Sequence, residues 1–137
     1  MRLWHKNIIA DLPRHQLLGQ WRECCCIATN IKTRNTPNHI LVNKIMNYNI
    51  THFVSYSHYI YQEMISRGYK ADWNKFSKHF TKEILDKPII HTDKLFPDWH
   101  NRRYLKQCLC NLEEKFDCGG LSESEWKLCS KHYNSIK

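Results

Sequence analysis

Residues 13–31 read Pro13-Arg14-His15-Gln16-Leu17-Leu18-Gly19-Gln20-Trp21-Arg22-Glu23-Cys24-Cys25-Cys26-Ile27-Ala28-Thr29-Asn30-Ile31. Leu17, Leu18, Trp21, Cys24, Cys25, Ala28 and Ile31 recur at spacings of three and four, an apolar stripe held over about four helical turns. Pro13 suits the first turn of that helix, where its missing N–H is not needed, and Asp11 stands just upstream. The opposite face carries His15, Gly19, Arg22, Glu23, Cys26 and Asn30. That face is polar, and a glycine in its middle lets another group come close to the backbone.

Two more segments supply faces for the stripe to pack on. From about Ile50 to Arg67, Phe53, Val54, Ile60, Tyr61 and Met64 share one side, and Gly68 is a natural stop just past the end. From near Asp98, Leu105, Cys108, Leu109, Leu112 and Phe116 form a third stripe that ends at Gly119-Gly120. Ser122-Glu123-Ser124-Glu125 is a capping box opening a short last helix with Trp126 and Leu128. Between these, Lys32 to Asn38 reads as a loop, His39 to Met46 as a short helix or turn, and Asp72 to Phe80 as a short helix capped by Asp72. Lys82 to Pro97 reads as an irregular connection with two prolines. The expected fold is all-α: a single compact domain, residues 1–137, of three main helices with short helices and irregular loops between them.

Composition agrees. Of 137 residues, 42% are apolar and 12% aromatic, enough for a packed core and too many for wholesale disorder. Four Gly and four Pro are few for a β-sandwich or barrel. No apolar run approaches the roughly 20 residues that span a bilayer, so no membrane partner is expected. The opening Met-Arg-Leu-Trp-His-Lys lacks the long apolar stretch of an export leader, which makes the cytoplasm the expected location. Seven cysteines without such a leader read as free thiols rather than a disulfide framework. Cys24, Cys25 and Cys26 point in different directions on a helix, and no paired C-x-x-C spacing is present, so no metal site is expected.

Charge is uneven. The net +8 divides into +5 over residues 1–45, +2 over 46–97 and +1 over 98–137. Arg2, Lys6, Arg14, Arg22, Lys32, Arg34 and Lys44 carry the N-terminal excess and are candidates for phosphate contacts. A basic patch on a helical chain points to a nucleic acid as the expected partner. No zinc finger, RRM or KH motif accompanies it, and Lys32 to Asn38 is too long for a helix-turn-helix turn.

Several stretches together resemble one family. An Arg beside the terminus, the approach Ala10-Asp11-Leu12-Pro13-Arg14-His15-Gln16-Leu17, and Trp21-Arg22-Glu23 on the first helix are similar to the pyrimidine-dimer DNA glycosylases. Met64-Ile65-Ser66-Arg67-Gly68-Tyr69 resembles that family's helix end, and Asn111-Leu112-Glu113-Glu114-Lys115 its third-helix segment. The resemblance implies a DNA repair glycosylase with AP-lyase activity, a monomer acting on damaged double-stranded DNA without metal or organic cofactor. Its nucleophile is the α-amine at the mature N-terminus, which attacks the deoxyribose C1′ and forms a Schiff base. A bulky second residue, Arg2, favours retention of Met1, so the amine expected is that of Met1. Glu23 corresponds to the family's essential glutamate. Arg2, Arg22 and Lys115 take the places of basic residues that hold phosphates, and Arg14, His15 and Gln16 flank the same site. The family has a basic residue one turn after its Arg-Glu pair, where Cys26 stands here.

An α-amine ordinarily titrates at about 7.7–8.0, so a fraction is neutral and nucleophilic at pH 7. A carboxylate beside an amine is a sensible pair for attack and proton removal. The alternative from another class is a non-catalytic nucleic-acid-binding protein on the same scaffold.

Overall fold

The computed structural model describes residues 1–136, and among them there is no β-strand. Three long helices dominate: α1 (Arg14–Arg34), α2 (Ile50–Ser66) and, after two single-turn helices, α5 (Arg102–Asp117). The short ones are α3 (Asn74–Ser77) and α4 (Lys82–Leu85), and α6 (Glu123–Ser130) follows α5. α1 packs on α2 and α3, and α5 packs on α6. The all-α expectation therefore holds, and the three long helices are the three read from the stripes. No helix among the described residues is long and apolar enough to cross a membrane.

The core forms from those stripes. Leu17, Trp21, Cys24, Ile27 and Ala28 of α1 are buried with Phe53, Tyr56, Ile60 and Met64 of α2 and Leu105, Cys108, Leu109 and Leu112 of α5. Trp21 lies among Tyr61, Trp73 and Phe76, with ring centroids 5.6, 6.3 and 6.3 Å away. Cys24 is buried, Cys25 half-buried and Cys26 exposed, as three successive positions on one helix must be. Burial pushes the Cys24 thiol well above the ordinary range, leaving it an inert core group.

Helix ends differ from the sequence reading where a short polar side chain takes over the backbone. α1 runs on to Arg34 because Asn35 accepts the left-handed conformation (φ 57°) and its N–H closes onto the Ile31 carbonyl at 3.0 Å. α5 starts at Arg102 rather than near Asp98: Asp98 has φ 72°, and Asn101 caps the helix by accepting from the Tyr104 N–H at 2.9 Å. The stretch read as irregular contains α4, capped by Thr81, and a 3-10 turn at Thr92–Lys94. The Asp72 carboxylate accepts from the Asn74 N–H at 3.0 Å and opens α3, which is shorter than expected. Gly68 (φ 81°) and Gly119 (φ 84°) end α2 and α5 as read. In both, the next N–H reaches back to the helix, Tyr69 to the Met64 carbonyl at 3.0 Å and Gly120 to Lys115 at 2.7 Å. The capping box at Ser122 and Glu125 is formed.

The N-terminal segment does not lie on the surface. Leu3 and Trp4 are buried, and a 3-10 turn at Lys6–Asp11 adds Ile8 and Ile9 to the core. Lys6 anchors the connection before α5, its ammonium donating to the carbonyls of Leu95 at 2.6 Å and Asp93 at 3.1 Å. The Lys6 N–H donates to His100 Nδ1 at 3.0 Å. His5 stacks on His100 with ring centroids 5.1 Å apart. Burial lowers the His5 pKa to about 4 and drives His100 well below its usual value, so both rings stay neutral inside the fold.

Candidate active site

One buried side chain decides where the chain terminus goes. Gln20 sits on the apolar side of α1 and is 1% exposed. Its Oε1 accepts from the Trp4 N–H at 2.7 Å, and its Nε2 donates to the Arg2 carbonyl at 2.9 Å. An amide offers both a donor and an acceptor, so it pairs with an extended backbone much as a neighbouring strand would. The Tyr56 hydroxyl of α2 lies 2.6 Å from the Trp4 carbonyl and 2.9 Å from Gln20 Oε1. The Tyr104 hydroxyl of α5 donates to the Leu3 carbonyl at 2.5 Å. All three long helices thus hold the backbone of residues 2–4.

Residue 1 is thereby delivered to the polar face of α1. Met1, Arg2 and Trp4 line a cleft of about 310 Å³ whose α1 wall is His15, Gln16, Gly19 and Glu23. The facing wall is Asn111 and Lys115 of α5, and Leu41 borders it from the loop before α2. Glu23 is half-buried there, and burial raises its pKa above the ordinary carboxylate range. The charge of the N-terminal ammonium, the Arg2 N–H, and the charges of His39 and Arg22 oppose that rise. Glu23 Oε2 also accepts from Gln20 Nε2 at 3.3 Å. The ion pairs between described residues join Glu63 to Arg67, Asp93 to His91, and Asp11 to Lys131 and His132, all away from this cleft.

Six of the eight residues singled out from the sequence meet here: Met1, Arg2, His15, Gln16, Glu23 and Lys115. The Arg2 guanidinium is steadied 5.3 Å above the Trp4 ring and 3.9 Å from the Cys108 thiol. Gln16 Oε1 is buried without a hydrogen-bond partner. Arg22 and Arg14 lie elsewhere, for a geometric reason. His15, Gly19 and Glu23 form one i+4 row, whereas Arg14, Leu18 and Arg22 form the next row round the helix. Arg22 lines a second cleft with Trp21, Met64, Lys70 and Lys75. The Arg14 guanidinium lies 5.7 Å above the Tyr69 ring, and its N–H donates to Glu125.

Two features of the site went unread in the sequence. Gln20 is one; its signal was a polar residue between Leu17 and Cys24 on the apolar side of the helix. The other is that Lys115, read as a phosphate contact, belongs to a row on α5 with Arg103, Gln107 and Asn111, spaced by four and running along the flank of the apolar stripe. Arg103 and Gln107 line openings that adjoin the cleft and share Arg2 or Leu41 with it. The row spans about 18 Å at 1.5 Å per residue.

A family model for pyrimidine dimer DNA glycosylases matches residues 1–77, more than half of the chain. The chain belongs to that family. Neither the curated proteins nor the solved structures gave a match. The family is one of DNA glycosylases, so the substrate is DNA, and Arg2 and Lys115 make the lining of the cleft cationic. The matched residues include Met1, Arg2, His15, Gln16 and Glu23 and stop short of α5. Among the described residues no three His, Cys, Asp or Glu side chains gather to hold a metal ion.

Gly19 tests the cleft without threatening the fold. A Cβ placed there meets nothing within 4 Å. Gly19→Leu is expected to stabilise the protein by roughly 0.5–1 kcal/mol, the helix-propensity gain over glycine. Glycosylase activity on damaged DNA is expected to fall, because the side chain enters the cleft that Met1, Gly19 and Glu23 line. A urea melt and a base-release assay on the same preparation check both signs.

Proposed function

We propose that the protein is a DNA glycosylase with AP-lyase activity on double-stranded DNA carrying pyrimidine-dimer-type damage, and that the Met1 α-amine is its nucleophile. The observation that carries this reading is the shared cleft of Met1 and Glu23. The N-terminal ammonium is the charge that acts most strongly on the Glu23 carboxylate. The substrate sugar fits between them, with flanking phosphates on Arg2 and Lys115. His15 and Gln16 contact the nucleotide from the α1 wall. Arg22 and Arg14, on the neighbouring row of α1, take phosphates further along the strand.

The neutral amine attacks C1′, the C1′–N glycosidic bond breaks, and the base leaves with the electron pair and takes up a proton. The C1′–O4′ bond then opens, O4′ gains a proton, and an iminium joins C1′ to the Met1 nitrogen. Loss of a proton from C2′ drives β-elimination: the C3′–O bond breaks and the phosphate leaves on the downstream strand. Water hydrolyses the imine and restores the amine. The Glu23 carboxylate stabilises positive charge at C1′ and relays protons, and no metal or organic cofactor is required. Damaged pairs stack poorly, which lowers the cost of exposing the nucleotide.

Borohydride reduction during incubation with an abasic duplex is expected to trap a covalent adduct. Mass spectrometry is expected to locate it on the Met1 nitrogen, in a protein whose intact mass shows a free terminus. No adduct under conditions where a known lyase is trapped, or an adduct on a lysine side chain, overturns the mechanism. Undiminished DNA binding without any adduct identifies the non-catalytic binder.

A further inference from the structure

The molecule exposes a pair of aliphatic side chains where its charge would predict polar ones. Ile40 is 84% exposed and Leu41 50%. They sit at the tip of a loop that hydrogen bonds hold on both sides of Ile40. Asn30 of α1 donates to the Pro37 carbonyl at 3.1 Å, the His39 N–H to Asn43 Oδ1 at 3.0 Å, and the Leu41 N–H to His39 Nδ1 at 3.2 Å. The Val42 and Asn43 N–H groups both return to the His39 carbonyl, at 3.0 and 2.9 Å. Val42 itself is fully buried, so the loop is nailed to the core one residue beyond the tip. A loop held this firmly cannot fold its apolar side chains inward; it presents them.

What it presents them to follows from the neighbours. Leu41 borders the Met1–Glu23 cleft, and it also borders the openings that lead along α5 to Gln107 and Arg103. Cations stand on both sides of the tip: Arg2 and Lys115 towards the cleft, Lys44 and Arg103 away from it. The α5 row runs past it for about 18 Å, the rise of about five base pairs. Two exposed side chains are far too little for a stable protein interface, which needs on the order of 1,000 Å². Branched aliphatic residues set among phosphate-binding cations are, in contrast, what opens a base step in proteins that kink duplex DNA.

We infer that Ile40 and Leu41 are a wedge that enters the base stack beside the lesion, opening the duplex so that the damaged nucleotide reaches the cleft. This rests on the proposed glycosylase reading for its chemistry, but the wedge itself acts on stacking. It makes the tip a determinant of preference for double-stranded over single-stranded substrate.

The test compares wild type, I40S/L41S and the conservative I40L/L41I on two abasic oligonucleotides of one sequence, single-stranded and duplex. 2-Aminopurine is placed next to the abasic position in the duplex. Wild type and I40L/L41I are expected to raise 2-aminopurine fluorescence on binding, and I40S/L41S is not. Borohydride trapping by I40S/L41S is expected to fall roughly tenfold or more further on duplex than on single strand, since opening a base step is a cost of that order. Equal fluorescence gains for wild type and I40S/L41S overturn the wedge and leave the lyase reading intact. Equal losses on both substrates assign the tip to the sugar site and also overturn it. A wild-type dimer that I40S/L41S dissociates makes the tip a contact between copies, again overturning it. Failure of wild type to trap on either substrate defeats the lyase chemistry alone, since the fluorescence comparison still reads the wedge.

Discussion

Glu23→Gln is expected to lower the rate of DNA strand cleavage by roughly 10²- to 10⁴-fold, the usual contribution of a positioned acid–base group. It is expected at the same time to make the protein more stable at neutral pH. The second expectation comes from burial. Glu23 is half-buried, and desolvation raises its pKa despite the opposing charges of the N-terminus, His39 and Arg22. A carboxyl whose folded pKa exceeds its unfolded value binds its proton more tightly in the folded state. It therefore favours folding below the unfolded carboxylate value, and that advantage is lost as pH rises through the folded one. Above both, the ionised side chain is a net cost, which the neutral amide does not carry. Urea melts of wild type and Glu23→Gln across this window should show the wild type losing ground as pH rises. A residue that merely packs gives no reason for activity and stability to move in opposite directions; a charge kept for chemistry does. A Glu23→Gln protein that cleaves as fast as wild type removes Glu23 from the mechanism.

The helices were legible because each long one carries an apolar stripe that tertiary packing had only to cover. Trp21 on α1 and Leu109 on α5 are buried where their spacing put them. The caps were half legible. Glycine stops at Gly68 and Gly119 and the Ser122 box announce themselves by residue type, whereas Asn35 and Asn101 compete with many asparagines and act only because of the local backbone conformation. The site divides along the same line. Glu23 and His15 were readable as one polar row of α1, and the family resemblance gave that row a chemistry. Arg22, adjacent to Glu23 in sequence, is turned about 100° from it on the helix, and adjacency was a poor guide to direction. The row from Arg103 to Lys115 has a readable period, but nothing in the chain before folding says that this face of α5 looks across at α1. That pairing is a product of residues 1–5, which run between the two helices. The charge excess near the N-terminus acquires its meaning in the same way, since Arg2 completes a rim with Lys115, remote in sequence.

The residue on which this arrangement turns is Gln20, and Gln20→Leu is expected to cost about 1–3 kcal/mol of stability, the penalty of leaving a buried polar group unpaired. The Trp4 N–H loses its acceptor and the Arg2 carbonyl its donor. Leucine has comparable bulk and suits the helix, so the packing of α1 against α2 is retained. The loss of DNA cleavage is expected to exceed what the unfolded fraction explains, because Gln20 positions both groups proposed to react. It holds residues 2 and 4 against α1, and its amide also touches the Glu23 carboxylate at 3.3 Å. Tyr56→Phe is the control. It removes the hydroxyl near Trp4 O and Gln20 Oε1 and so destabilises a neighbouring part of the same network, but it leaves the direct contacts of Gln20 to Trp4, Arg2 and Glu23 in place. With both variants assayed where each is fully folded, Gln20→Leu should lose activity and show faster hydrogen exchange at Leu3 and Trp4, while Tyr56→Phe keeps most of both. If the two variants lose cleavage in equal proportion to their stability, Gln20 is a structural group, and the terminus reaches Glu23 without it.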